Sequence, residues 1–321
     1  MLRIICFCCL FFCLLVCKAQ PTQTKNVYLD SLILSLEQHA ILDTTRVITM
    51  HKISYRLSEI HSGRSWKYAK ETETLAKQLQ FPKGECLANI NYAILEAMQG
   101  NFERSTEYYV KAIKIAESIH FKRCISIAYN NMGENSSKMK DAKNAIAYTE
   151  KAFDINKEIK ELRGMAINKE LIGSVYFEQK QFGFAMQQWS EGFEYALQSK
   201  DPNVLSQLHV DMAKYYIETN QLQKAFQRLH IADSISSSRY EILYQLFTYK
   251  AFSKAYDKLL KPDSSYSYLQ RALQGSRILG NKNEECDIYQ LLAAHFEKQK
   301  RYDSGIHYLR NYKGLSDTVL S

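Results

Sequence analysis

Residues 171–192 read Leu-Ile-Gly-Ser-Val-Tyr-Phe-Glu-Gln-Lys-Gln-Phe-Gly-Phe-Ala-Met-Gln-Gln-Trp-Ser-Glu-Gly, and the alternation of large and small residues in this stretch decides the fold. Gly173 in its first half and Ala185 in its second let two antiparallel helices approach closely. Ile172, Tyr176 and Trp189 fill the space around that contact. A second small residue, Gly192, lies two turns beyond Ala185 on the same face.

The unit recurs when it is slid along the chain in steps of forty. The small residue of the first helix falls at Ala93, Gly133, Gly173, Ala213, Ser253 and Ala293. Three positions on stand Tyr176, Tyr216, Tyr256 and Phe296, with Glu96 and Ser136 as exceptions. In the second helix one small column runs Ser105, Ala145, Ala185, Ala225, Ser265, Gly305, and another runs Ala112, Ala152, Gly192, Ala232, Ala272. A divergent first copy fits around Ile53, Leu57, Ser65, Ala69 and Thr72, one residue shorter in its turn. This pattern resembles the tetratricopeptide (TPR) repeat, lengthened beyond that repeat's usual period of about 34 residues. The expectation is an all-α, TPR-like α-α superhelix of seven helix pairs, with repeats near 42–81, 82–121, 122–161, 162–201, 202–241, 242–281 and 282–321.

The prolines test this frame independently of the columns that define it. Pro21 falls in a polar linker, Pro82 and Pro202 at joins between repeats and Pro262 in the turn within the sixth, so none interrupts a proposed helix. Asp201-Pro202 fits a capping residue followed by a first-turn proline. With the period continuous from about residue 42, the chain holds one domain.

Ahead of the repeats, Met1 to Arg3 is basic and Ile4 to Val16 is an unbroken apolar run, too short for a spanning helix of about 20 residues. It ends at Cys17-Lys18-Ala19, which suits cleavage, so residues 1–19 read as a signal peptide and the protein as exported, periplasmic or secreted. An uncleaved anchor is one alternative. Leu14-Leu15-Val16-Cys17 resembles a lipobox, with Val16 where that motif has a small residue, so a lipoprotein anchored through Cys17 is another. Residues 20–41 comprise a linker and an amphipathic helix, Val27 to His39, that caps the first repeat.

The leader takes five of the eight cysteines with it. Cys86, Cys124 and Cys286 remain, all on first helices, and read as small buried hydrophobes; a Cys86–Cys124 bridge between adjacent repeats is the alternative. The leader also removes Arg3 and Lys18 and no acid, leaving a basic excess of six from 42 basic and 34 acidic residues. That excess is spread through mixed-sign helices without a basic run, which argues against nucleic-acid binding.

No phosphate loop, zinc motif or nucleophile elbow occurs in the mature part, and the eight histidines are scattered, so neither a cofactor nor a catalytic site is expected. An enzyme with a site of unrecognised kind is the reading from another class. Binding has more support. The resemblance implies that first helices line a concave groove for a protein or peptide segment, with groove positions one residue before and two residues after the large column. Asn91 and Asn131 match the positions at which the family's asparagines bond a peptide backbone; Leu171, Ala251 and Leu291 break the series. A second patch, Lys214, Lys250, Lys254 and Lys258, suits a carboxylate, although Glu218 and Asp257 can neutralise part of it. Leu87, Ile90, Ile94, Ile127, Ile167 and Phe247 on the same side suggest a partly hydrophobic groove or tight helix packing.

Leader, capping helix, the opening Asp43-Thr44-Thr45-Arg46-Val47 and seven pairs together resemble the extracytoplasmic TPR input domains of bacterial membrane-bound histidine kinases and transcription regulators. Such regulators continue into a transmembrane helix and an output domain, whereas this sequence stops at Ser321; a stand-alone adaptor, a secreted partner and a fragment are the alternatives. The apolar stripe Tyr308, Leu309, Tyr312, Leu315, Val319, Leu320 has no polar closing helix and predicts association at that end.

Overall fold

The computed structural model describes residues 27–58, 62–238 and 242–319. The signal peptide, the lipobox-like segment and Leu320 lie outside the described residues. Fifteen helices and no strand occur among the described residues: α1 (Val27–Gln38), α2 (Thr44–Leu57), α3 (Ser62–Gln78), α4 (Pro82–Met98), α5 (Phe102–Ser118), α6 (Lys122–Lys138), α7 (Ala142–Glu158), α8 (Leu162–Glu178), α9 (Phe182–Ser199), α10 (Pro202–Glu218), α11 (Leu222–Ser238), α12 (Ile242–Lys258), α13 (Pro262–Leu279), α14 (Lys282–Lys298) and α15 (Tyr302–Val319). From α2 onward they form seven antiparallel pairs, α2/α3 to α14/α15, with α1 packed on α2.

The small columns are where the helices of each pair meet. Ala93, Ala213, Ser105, Ala145, Ala185, Ala225, Ser265, Ala112, Ala152, Ala232 and Ala272 are all 0% exposed. Gly173 touches the Trp189 ring so closely that an added Cβ would overlap the indole. In the first pair Ser54 takes the small place: its hydroxyl and that of Ser65 each donate to the other's carbonyl, at 3.0 and 2.7 Å. The hydroxyls of Ser54 and Ser65 lie 3.2 Å apart across eleven residues, and those of Ser253 and Ser265 lie 2.8 Å apart across twelve.

The backbone repeats every twenty residues, at half the period of the side chains. Helices from α3 onward are 17 or 18 residues long. Left-handed φ values then fall at Gln80, Gly100, His120, Lys140, Lys160, Lys180, Lys200, Asn220, Leu260, Gly280 and Lys300. At most of these joins the following N–H reaches back to the carbonyl five residues earlier, as Asp141 does to Ser136 and Gln181 to Tyr176 at 2.9 Å. Pro82, Pro202 and Pro262 each open a helix, where the missing N–H has no partner to lose.

First helices of successive pairs also pack on one another from α2 to α12, while no comparable contact joins successive second helices. The layer with closer spacing is the inner one of a curved stack, so the first helices line the concave side. This direct packing also corrects the reading of the cysteines. Cys86 on α4 and Cys124 on α6, both 0% exposed, form a disulfide, because neighbouring first helices bring positions 38 residues apart together. Cys286 is a buried free thiol.

Candidate functional site

The inner face is mixed in character along its length. Near the start it is closed: Leu87 and Ile90 are buried, and Asn91 is 1% exposed, its Nδ2 donating to the His51 carbonyl on α2 at 3.2 Å. Asn91 therefore joins two first helices through its amide nitrogen, while its Oδ1 is buried without a hydrogen-bond partner, so it lies beneath the groove surface that its column position suggested. The tight approach of α4 to α2 is the physical reason. Ile94 and Asn131 are half-buried, and Ile127 is exposed.

The centre of the face, on α8 and α10, is polar. Asp211, 1% exposed, accepts from the Lys214 ammonium at 2.8 Å and from the Gln207 amide at 3.1 and 3.2 Å. Glu170, from the preceding first helix, accepts from the Ser174 hydroxyl at 2.9 Å. Burial, and then the charge of Asp211, push the Glu170 carboxyl well above the ordinary carboxylate range, to about 8. Burial works against the charge on Lys214, and Asp211 overcomes it, holding the ammonium above its ordinary value. Lys214 still keeps 38% of its side chain exposed, as expected of a residue on the floor of a groove.

The lysine patch is drawn together only in part. Lys250 pairs with Glu284 at 2.6 Å and stacks over the Phe247 ring; Lys254 pairs with Glu218 at 2.6 Å; Lys258 is exposed nearby. Asp257 turns away from this patch to Lys298 at 2.8 Å and His295 at 3.6 Å. The patch is thus largely neutralised by carboxylates of its own chain. Beside the centre, Asn156 on α7 donates to Asn168 at 2.8 Å, and Asn168 donates to Asn130 on α6 at 2.7 Å, a chain of amides leading to the inner face. Neither Glu170 nor Asn130 was singled out from the sequence. The signal for them is the forty-residue column of Lys250, which passes through both.

Among the described residues no group of three or more His, Cys, Asp or Glu side chains could hold a metal ion, and no helix is long and apolar enough to cross a membrane. The polar centre brings together hydrogen-bond donors and acceptors from α8 and α10.

No protein-family model matches the sequence, and the search of curated proteins found no match. Solved structures do resemble it. The complex of NprR with its cognate peptide NprX aligns with a TM-score of 0.63 at 14% identity, covering 90% of this chain and 89% of that one. The fold is TPR-like. The apo form of RapI aligns with a TM-score of 0.60 at 15% identity, covering 78% of this chain and 92% of that one. A signal-transduction ATPase with a tetratricopeptide repeat sensor from Pyrococcus horikoshii gives 0.54 at 15% identity, and this TPR-like chain spans 92% of its own length but 47% of that protein.

Proposed function

We propose that this chain is a non-enzymatic TPR module that binds a peptide or protein segment along its concave face, in signalling or assembly at the cell envelope. The observation that carries the proposal is the polar centre of the inner layer. A helical layer built only for packing would bury apolar side chains there, whereas Ser174 bonds Glu170, and Gln207 and Lys214 both bond Asp211. An extended backbone needs donors and acceptors side by side, and these residues supply both. NprR, whose fold is similar, is found in complex with a peptide, which supports peptide binding as the use of this fold here. Export through the leader, with or without lipid at Cys17, and a sensory role like that of kinase input domains belong to the same proposal.

The test is selection of peptides from a display library by the chain beginning at Gln20, followed by calorimetric titration. Selected peptides are expected to lose affinity on Lys214→Glu and on Glu170→Lys, with the fold retained by circular dichroism. Absence of any selected peptide, or binding indifferent to both substitutions, would sink the groove reading.

A further inference from the structure

On the opposite, convex side a second feature stands apart from the groove and does not depend on it. Between second helices α3 and α5, with α4 as its floor, lies a pocket of about 560 Å³. Three aromatic rings run through it in series: Trp66 and Tyr92 have centroids 5.5 Å apart, and Tyr92 and Tyr108 are 5.3 Å apart. Lys67, Lys70, Lys111, Glu73 and Asn89 complete the lining.

The later clefts of the same kind show what is distinctive here. In each, a cation of the chain itself lies on the cleft's aromatic ring. Lys151 covers Tyr129 at 5.4 Å, Lys169 covers Phe153 at 4.8 Å, Arg228 covers Phe193 at 5.6 Å and Arg271 covers Tyr249 at 4.2 Å. In the first cleft Lys111 lies over Tyr108 at 4.8 Å, but among the described residues no cation covers Trp66 or Tyr92. Tyr92 is 8% exposed, its ring held between Trp66 and Tyr108, so the half-buried Trp66 ring is the surface left for something else. The one acid in the lining, Glu73, is engaged chiefly by Lys77 at 2.6 Å and by the Tyr92 hydroxyl at 2.9 Å, and it offsets only part of the charge of the three lysines, through Lys111. Lys67 reaches Glu71 only at 3.9 Å, and Lys70 has no ion pair among the described residues.

We infer that this cleft is a ligand site for a planar ring carrying an anionic group, a phosphate or a carboxylate. The ring stacks on Trp66, at the open end of the aromatic series, and the ammonium groups of Lys67, Lys70 and Lys111 receive the anion. Stacking tolerates many ring types, so the anion supplies the selection.

Tryptophan fluorescence reads the site directly. The chain has two tryptophans, and Trp189 is 1% exposed, which leaves Trp66 to report on the cleft. Adenosine 5′-monophosphate and benzoate are the ring anions, with neutral adenosine and inorganic phosphate as controls. Saturable quenching by either ring anion, with adenosine and phosphate each weaker on the order of tenfold, is the expected result, and which ring anion binds tells phosphate from carboxylate. Lys70→Glu with Lys111→Glu, both exposed positions, is expected to weaken it on the order of tenfold with an unchanged melting curve. Trp66→Phe should remove the optical signal and leave a weaker calorimetric one. No saturable quenching by either ring anion, equal binding of the neutral nucleoside, or full binding by the double-lysine variant would each overturn the inference. None of these outcomes bears on peptide binding at Lys214.

Discussion

Leu260 shows how much backbone geometry the repeat demands of single residues. It is 87% exposed, so its side chain buries little, yet its φ is 55°. A left-handed backbone costs an L-residue about 1–2 kcal/mol, against roughly 0.5–1 kcal/mol of extra chain entropy lost by glycine. Leu260→Gly is accordingly expected to stabilise the fold by about 0.5–1 kcal/mol in urea denaturation; a loss of stability would contradict the account. The left-handed ladder could not be read from the sequence because nine of its eleven positions are not glycine. Trp189 and Gly173, by contrast, were legible as a facing pair because their sizes are complementary.

Glu170 carries the second prediction at this scale. Its folded value of about 8 stands above the ordinary 4.5, so the folded chain holds an extra proton between those pH values. That contribution is complete below about pH 4.5 and is lost as pH rises through 8. His51 and His209 run the other way: burial lowers both to about 4 from 6.5, and their contribution is lost as pH falls through that range. Glu170→Gln should flatten the decline in urea midpoint between about pH 4.5 and pH 8. An unaltered decline would show that another group is responsible. The raised value depends on Asp211 approaching from α10, a contact between helices forty residues apart that no local pattern contains.

At the level of the elements, the sequence was most informative where two helices of one pair meet and least where successive first helices meet. Small columns identify the first kind of contact. The second depends on curvature, which draws α4 against α2 and α6. That closeness buried Asn91, whose column position alone suggested the groove, and it linked Cys86 to Cys124, whose separation of 38 residues is off the forty-residue period. A crosslink closing such a loop contributes about 2–4 kcal/mol. Cys86→Ser with Cys124→Ser should lower the unfolding free energy by that order, about 2–4 kcal/mol. Thiol titration of the chain beginning at Gln20 should find one thiol after unfolding without reductant and three with it. Three thiols without reductant would refute the bridge.

The molecule as a whole is a linear stack in which each helix packs on near neighbours along the chain. Stability in such a stack is a sum of local terms, so each repeat face must be covered by the next unit or be exposed. One column makes the consequence visible. Tyr109, Thr149, Trp189, Leu229 and Leu269 are each 2% exposed or less, while Leu309, their counterpart on α15, is 50% exposed. Ile306 on the same helix is 47% exposed. Leu269→Glu would bury a carboxylate between α13 and its neighbours and is expected to cost more than about 3 kcal/mol. Leu309→Glu, at a half-exposed position, should change stability by less than about 0.5 kcal/mol. Since exposed apolar repeat faces associate, the unsubstituted chain should sediment with concentration-dependent mass and Leu309→Glu as a monomer. A monomer at every concentration in both would mean that Leu309 mediates no self-association. A large loss of stability in Leu309→Glu would mean that the face is already covered from within the chain.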